Sequence, residues 1–227
     1  MSARTDTDYV TLIDAMPPGA VLTLQSVGWD EYEDLLRQLE ERPGIRLTYD
    51  HGRLQIMTLS REHEGIAGLF PHLILVLAEK CGLNCFSLKS ITLRKRKKSR
   101  GLEPDDCFYF RNFIKICGKK TLDLSIDPPP ELAIEVDVTS GSMSKFHSFA
   151  AIGVPELWRH DGEKVHFHRL AEEQYTEISH SDLFPFLTPE AVSKFLRKGE
   201  AEGAVPMVKT FRTWVRAHRP RADRRKK

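Results

Sequence analysis

The sequence predicts a mixed α/β (α+β) domain around one central sheet, and three observations lead there. Helical and strand-like segments follow one another in the order helix, hairpin, long helix, several strands, helix and more strands. The 227 residues are 41% hydrophobic, enough apolar material for one substantial core. No internal repeat divides the chain.

Residues 1–20 hold Asp, Thr and Pro and read as an N-terminal arm. Ser26 is placed to cap a helix through WDEYEDLLRQLEER, where Tyr32, Leu35, Leu36 and Leu39 recur at helical spacing before Pro43 and Gly44. IRLTYDHGRLQIMT reads as two strands joined by a turn at Asp50 to Gly52. REHEGIAGLFPHLILVLAEKCG is a long helix, which Pro71 either kinks or divides. FSLKSITLRKRK alternates as a strand, GLEPDDCFYF adds a short strand behind a proline, and KKTLDLSIDPPP is strand edge and loop. Pro128, Pro129 and Pro130 cannot donate to a ladder and form a rigid approach to the strand ELAIEVDVT.

MSKFHSFAAIG follows as a short helix stopped by Gly153. VPELWRH and EKVHFHRL pair across a turn at Asp161 and Gly162, and QYTEI continues the sheet. SDLFPFLTPEAVSKFLRKG is a loop and a helix beginning near Thr188 or Pro189. The domain is expected over residues 21–199. Residues 200–227 form a basic C-terminal extension, in which VKTFRTWVRAHR is a short amphipathic helix.

Against 34 Lys and Arg stand 32 Asp and Glu, a formal charge of +2 that by itself argues for neither a nucleic-acid partner nor a membrane. Cys81, Cys85, Cys107 and Cys117 make no disulfide framework in a chain this long, and no second ligand pair turns Cys81 and Cys85 into a zinc site; buried free thiols are expected. MSARTDTDYV has no apolar leader, and nowhere do 18 apolar residues run together, so the chain reads as soluble and cytoplasmic, with no membrane partner.

The informative stretch is ELAIEVDVT. Strand alternation turns Glu131, Ala133, Glu135, Asp137 and Thr139 one way and Leu132, Ile134, Val136 and Val138 the other, toward the core. Glu135 and Asp137 then stand about 6 to 7 Å apart at their Cα atoms, able to reach one cation, or else they line a solvated acidic face. Asp105 and Asp106 lie upstream, in GLEPDDCFYF, at a distance that permits an adjacent strand. Carboxylates so gathered suit Mg²⁺ or Mn²⁺, which prefer oxygen ligands and can activate water against a phosphodiester. Lys145 begins the next helix, where a short loop folds it back over Glu135 or leaves it exposed.

PDD at Pro104 to Asp106, EVDVTS at Glu135 to Ser140 and GVPELWRHDG at Gly153 to Gly162 resemble the family of restriction-endonuclease-like proteins, abundant in cyanobacteria, within the PD-(D/E)XK nuclease superfamily. The resemblance runs from about Leu24 to about Leu196 and takes in YDHGRLQIMTLSREHE and FPFLTPEAVSKFL. It implies a restriction-endonuclease-like core, a central mixed β-sheet flanked by helices. It also implies a metal-dependent endonuclease that hydrolyses DNA with Mg²⁺ or Mn²⁺. Asp105 matches the acid of the PD element and Glu135 that of the (D/E)XK element, making both metal ligands and catalytic residues. The lysine expected two positions on is replaced by Asp137, and Lys145 on the following helix matches the family's displaced lysine. Asp137 is then an extra ligand, a partner to a ligand, or a substitute without a catalytic role. His63 matches a family histidine near the substrate, although a plain capping or core histidine fits equally, and Glu62, Glu64 and Asp106 are auxiliary carboxylates.

LRKRKKSR brings Arg94, Lys95, Arg96, Lys97, Lys98 and Arg100 directly before the PDD element, as DNA backbone contacts or as a solvated basic edge. The tail from Arg212 is also basic, with Phe211 and Trp214 available to pack. Trp158, Phe167 and Tyr175 read as core or interface residues. Of His160, His166 and His168, the last two share a strand face, but no third ligand is spaced to close a zinc site, and a solvated or interfacial face is expected. Many fold relatives pair as dimers to cut two strands, which leaves a homodimer open. The alternative function is a catalytically inactive nuclease-fold protein acting as a nucleic-acid-binding or protein-interaction module, motivated by the missing in-strand lysine.

Overall fold

The computed structural model describes residues 9–40, 42–138 and 145–220. Two sheets, rather than the single one expected, organise the chain. The first has the order β1-β3-β2-β6-β5, from Val21–Leu24, Arg53–Thr58, Ile45–Asp50, Arg100–Leu102 and Leu93–Lys95. The second has the order β11-β10-β9-β8-β7-β4, from Gln174–Ile178, Val165–Ala171, Glu156–His160, Leu132–Val136, Asp106–Tyr109 and Phe86–Ser87. In this second sheet β8 and β9 run parallel and the other neighbours antiparallel, so it is the mixed sheet of the expected class.

The division into two sheets falls inside FSLKSITLRKRK. Lys89 takes a positive φ of 54°, and its backbone N–H donates to Asp106 Oδ1 at 3.1 Å. That turn ends β4 in one sheet and delivers β5 to the other. KKTLDLSIDPPP forms no strand. The first sheet carries helices α1 (Tyr9–Asp14) and α2 (Trp29–Gln38) on a core of Tyr32, Leu35, Leu47, Tyr49, Leu54 and Ile56. α2 is capped by Gly28, whose N–H donates to Glu31 Oε2 at 3.2 Å, and not by Ser26, which turns the chain at φ 59°. Tyr32 lies so close over Gly101 that a Cβ there would collide with its ring. The β2–β3 hairpin turns through His51 and Gly52, both at positive φ, as a two-residue primed turn requires.

Helix α3 (Arg61–Cys81) is continuous through Pro71. An internal proline removes a backbone bond and costs about 3 kcal/mol. Here Phe70, Leu73, Ile74 and Leu77 are fully buried around it, and each buried apolar side chain contributes about 1.5–3 kcal/mol. A short α4 (Phe113–Ile116) follows β7, α5 (Phe146–Ile152) ends at Gly153 with φ 91°, and α6 (Pro189–Glu202) is capped by the Thr188 hydroxyl. α7 (Ala204–His218) packs Met207, Phe211 and Val215 into the same core as α3 and α6, so the apolar core extends past residue 199. No helix among the described residues is long and apolar enough to cross a membrane.

β8 is covered on both faces. Leu132, Ile134 and Val136 join the core of α3, α6 and α7, while Ala133 joins Leu93, Leu102, Phe149, Ile152 and Leu157 on the other side. Residues 103–105 carry the chain from one sheet to the other: Glu103 N–H donates to Leu47 O at 3.2 Å and Asp105 N–H to Ile134 O at 3.1 Å. That crossing places Asp105 beside the end of β8.

Candidate active site

Glu135 follows Ala133 on the face of β8 turned toward α5, and it is buried instead of solvated. Lys145, the N-cap residue of α5, reaches back to it: Nζ lies 2.5 Å from Glu135 Oε1, with the lysine side chain 6% exposed. Asp105 enters from the crossing, where its Oδ2 accepts from Val136 N–H at 2.6 Å. His63 is placed by the first turn of α3, whose N-cap Ser60 accepts from its N–H at 3.2 Å. Its Nε2 stands 3.2 Å from Asp105 Oδ1, close enough for charge attraction but out of line for a full hydrogen bond. Asp105, Glu135, Lys145 and His63 thus lie together, all of them buried.

Burial pushes the Glu135 carboxyl up to about 7, and the Asp105 charge adds to the rise, against the opposing pull of Lys145. Burial acts on Asp105 in the same sense, but His63 and Lys145 outweigh it and hold that carboxyl below its ordinary value. Lys145 and His63 lose charge stability to burial and regain more from the two acids, so both are raised. The cluster therefore favours an ionised Asp105 facing an ammonium, with Glu135 poised near neutrality. Glu135 Oε2 is buried and accepts no hydrogen bond, and Asp105 Oδ1, also buried, has only the poorly aligned His63 Nε2 at 3.2 Å.

Asp137 continues past the strand end, where Arg159 Nη2 donates to its Oδ2 at 2.7 Å. Glu62 is exposed on α3, and Glu64, also exposed, lies 3.6 Å from His63 Nδ1. Asp106 points to the other side of its strand, bonded to Ser87 and to the backbone of Lys89 and Cys107. The basic run is a hairpin end whose charges are largely engaged. Arg96 pairs with Asp30 at 2.7 Å and Glu33 at 3.3 Å, Arg94 with Glu33 at 4.0 Å, Arg100 with Asp50 at 2.7 Å and Lys98 with Glu173 at 3.9 Å. Lys95 donates to Ile152 O at 2.6 Å, and Lys97 has no ion-pair partner among the described residues. All four cysteines are free, but Cys81 and Cys117 are exposed and only Cys107 is buried. Trp158 and Phe167 are core residues, and His166 is held between Asp161 and Glu177 at 2.7 and 2.8 Å.

Two neighbours of the cluster escaped the sequence reading. Arg46, on β2, brings a buried Nε to 3.8 Å from Asp105 Oδ1. Glu103, two residues before Asp105, accepts from Leu47 N–H at 3.0 Å and Thr92 Oγ1–H at 3.1 Å, and burial raises its carboxyl. Glu103 shares the acidic stretch GLEPDD and was legible as a third acid there; Arg46 carries no local signal, because only the second sheet's position brings it near.

Among the described residues no three or more His, Cys, Asp or Glu side chains gather as a metal-holding group. The two orphaned carboxylate oxygens are nevertheless the donor type that a hard divalent cation takes. Mg²⁺ is commonly held by one or two carboxylates together with water and substrate phosphate, and this donor set fits it.

A mixed sheet flanked by helices, with an acid where the chain crosses between the sheets and a second acid on the neighbouring strand β8, is the restriction-endonuclease-like class. The chain belongs to the family Uma2, described as "Putative restriction endonuclease", whose model matches residues 29–196. It is thus a nuclease-like protein of the PD-(D/E)XK type. Among solved structures it is similar to a "putative nuclease belonging to DUF820" from Anabaena variabilis ATCC 29413, at 14% identity and a TM-score of 0.47, covering 66% of this chain and 90% of that one. No curated protein matches the chain.

Proposed function

We propose that the protein is a divalent-metal-dependent endonuclease that hydrolyses DNA phosphodiester bonds, with Asp105, Glu135 and Lys145 as its catalytic residues. The observation that carries this reading is the pair of buried oxygens, Asp105 Oδ1 and Glu135 Oε2, left without an aligned hydrogen-bond donor beside one lysine. An unsatisfied buried polar group costs about 1–3 kcal/mol, a cost that a ligand at those oxygens would offset.

Asp105 and Glu135 would hold Mg²⁺ or Mn²⁺, which when bound supplies an activated water and offsets charge on the phosphate. Lys145 provides the ammonium that the strand lacks at position 137, orienting the attacking water and stabilising charge that builds on the phosphate oxygens. His63 keeps Asp105 ionised and in place. Arg46, approaching from the first sheet, is positioned to hold a phosphate oxygen, a role suited to its planar guanidinium. Asp137, clasped by Arg159, is assigned no step, nor are Glu62 and Asp106. Lys97 and the exposed sides of its neighbours in the hairpin are a secondary DNA contact. Cutting both strands calls for two such sites, for which a homodimer is the proposed assembly. The free thiols fit a reducing, cytoplasmic compartment.

The Glu135–Lys145 contact itself favours a second reading, a catalytically silent nucleic-acid-binding module, because a carboxylate already neutralised by an ammonium needs no cation. One experiment separates the two: cleavage of single- and double-stranded DNA with Mg²⁺ or Mn²⁺, with Glu135→Gln beside the parent and Mn²⁺ binding followed by calorimetry. The endonuclease reading expects cleavage and Mn²⁺ binding in the parent and neither in the variant. A parent that binds no Mn²⁺ and leaves DNA uncut overturns it in favour of the silent module.

A further inference from the structure

Helix α7 lies beyond residue 196, where the family match ends, and its charge is of one sign. Between Ala204 and His218 it holds Lys209, Arg212 and Arg216 and no acidic residue. Its apolar side is already occupied, since Met207, Phe211 and Val215 are fully buried. At about 3.6 residues per turn, Lys209, Thr213 and Arg216 fall on the opposite face, and all three are exposed.

Beside that face α6 and α7 enclose an open groove of about 880 Å³, bordered by Lys194, Lys198 and Lys209. Its single carboxylate, Glu202, is taken by Lys198 at 2.6 Å. Arg212 is engaged by Glu79 of α3 at 3.2 Å. Lys194, Lys209 and Arg216 have no ion-pair partner among the described residues. Lys209 and Arg216 are separated by about 10 Å along the helix axis, at roughly 1.5 Å per residue.

We propose that this α6–α7 face is a second DNA-binding surface, separate from the carboxylate cluster, which grips the phosphodiester backbone without reading bases. Unpaired cations on a rigid surface complement a phosphate backbone and need no base contact to bind it. The groove's aromatic ring is not a stacking platform: Trp214 is stacked on His218 at 4.2 Å and on Phe211 at 5.9 Å between centroids. An anionic bilayer is the poorer partner, because a basic helix lying on a membrane inserts its apolar face, and α7 has that face inside the protein core.

The inference takes its ligand from the nuclease reading, so binding is measured under chelation, where the two fail separately. The full chain is titrated onto a fluorescent DNA duplex of about 20 base pairs over a range of salt concentrations. The triple variant Lys194→Gln, Lys209→Gln, Arg216→Gln should bind about ten-fold or more weakly and flatten the salt dependence by about three phosphate contacts, at an unchanged thermal midpoint. Loss of binding in the triple variant supports this surface even if no cleavage is seen with Mg²⁺ or Mn²⁺. Equal affinity and salt slope in parent and variant overturn it, as does a parent that binds anionic phospholipid vesicles but not the duplex.

Discussion

Asp105 and Asp106 adjoin in sequence and both are buried, yet they are surrounded in opposite ways. Asp106 is saturated: its Oδ1 accepts from the Ser87 hydroxyl at 2.7 Å and from the N–H groups of Lys89 at 3.1 Å and Cys107 at 2.8 Å. Asp105 gives one oxygen to Val136 N–H and leaves the other without an aligned donor. A carboxylate that ties the end of β4 and the turn after it to its own strand holds structure. One whose buried oxygen stays unsatisfied costs folding energy and is retained where a ligand completes it. Strand alternation makes the difference, sending one acid to the seam between the sheets and the other to the β4 edge.

The two acids should differ most in what their loss does to activity. Asp105→Asn keeps the size and the acceptor for Val136 N–H but removes the charge that faces Lys145 and His63. Its DNA cleavage with Mn²⁺ should fall on the order of 10³-fold, with Mn²⁺ binding lost in calorimetry and a lower melting temperature, because the stabilisation from the ionised carboxylate facing Lys145 and His63 is lost as well. Cleavage at the parent rate would take Asp105 out of the catalytic set.

Much of this contrast was readable before the fold was known, and the unreadable part has a physical reason. The alternation of ELAIEVDVT placed Ile134 and Val136 in the core and Glu135 on the opposite face, because period-two geometry needs no tertiary information. The β2–β3 turn and the Gly153 and Thr188 helix ends were legible for the same local reason. What escaped was set by distant partners. The split of FSLKSITLRKRK depends on Asp106 holding Lys89, and the engagement of Arg96 depends on α2 presenting Asp30 and Glu33. A charge run in a sequence therefore says little about free charge in the fold: the hairpin is dense but mostly engaged, with Lys97 the exception, whereas α7 is sparser and its outward cations are open.

Glu135 and Asp105 also respond to pH in opposite senses. In the metal-free chain Glu135 moves from an ordinary 4.5 up to about 7, chiefly by burial. Between those values the folded state binds the proton more tightly than the unfolded chain. Its contribution to stability is full below pH 4.5 and is lost as pH rises to 7. At about 1.36 kcal/mol per unit, the upper size of that loss is on the order of 3 kcal/mol. Asp105 runs the other way: held below its ordinary 3.8, it contributes stability that is present above that value and lost as pH falls through the lowered one. Urea unfolding across this range should show stability rising out of strong acid and then falling toward neutrality. The fall should be absent in Glu135→Gln; an equal fall in the variant would assign it to another group, with His63, also raised, the first to examine.

The smallest effect is the one that tests the structural partner. Asp106→Ala removes the acceptor for Ser87, Lys89 and Cys107 at once and takes from the buried Cys107 N–H its acceptor beside the turn that separates the two sheets. A loss of about 2 kcal/mol in urea unfolding is expected, as for other broken buried hydrogen-bond networks. Below the unfolding transition the variant should cut DNA at the parent rate, since Asp106 touches none of the cluster. If Asp106→Ala instead abolished cleavage at full stability, saturation would no longer distinguish a structural acid from a catalytic one, and the assignment of Asp105 by its unsatisfied oxygen would lose its basis.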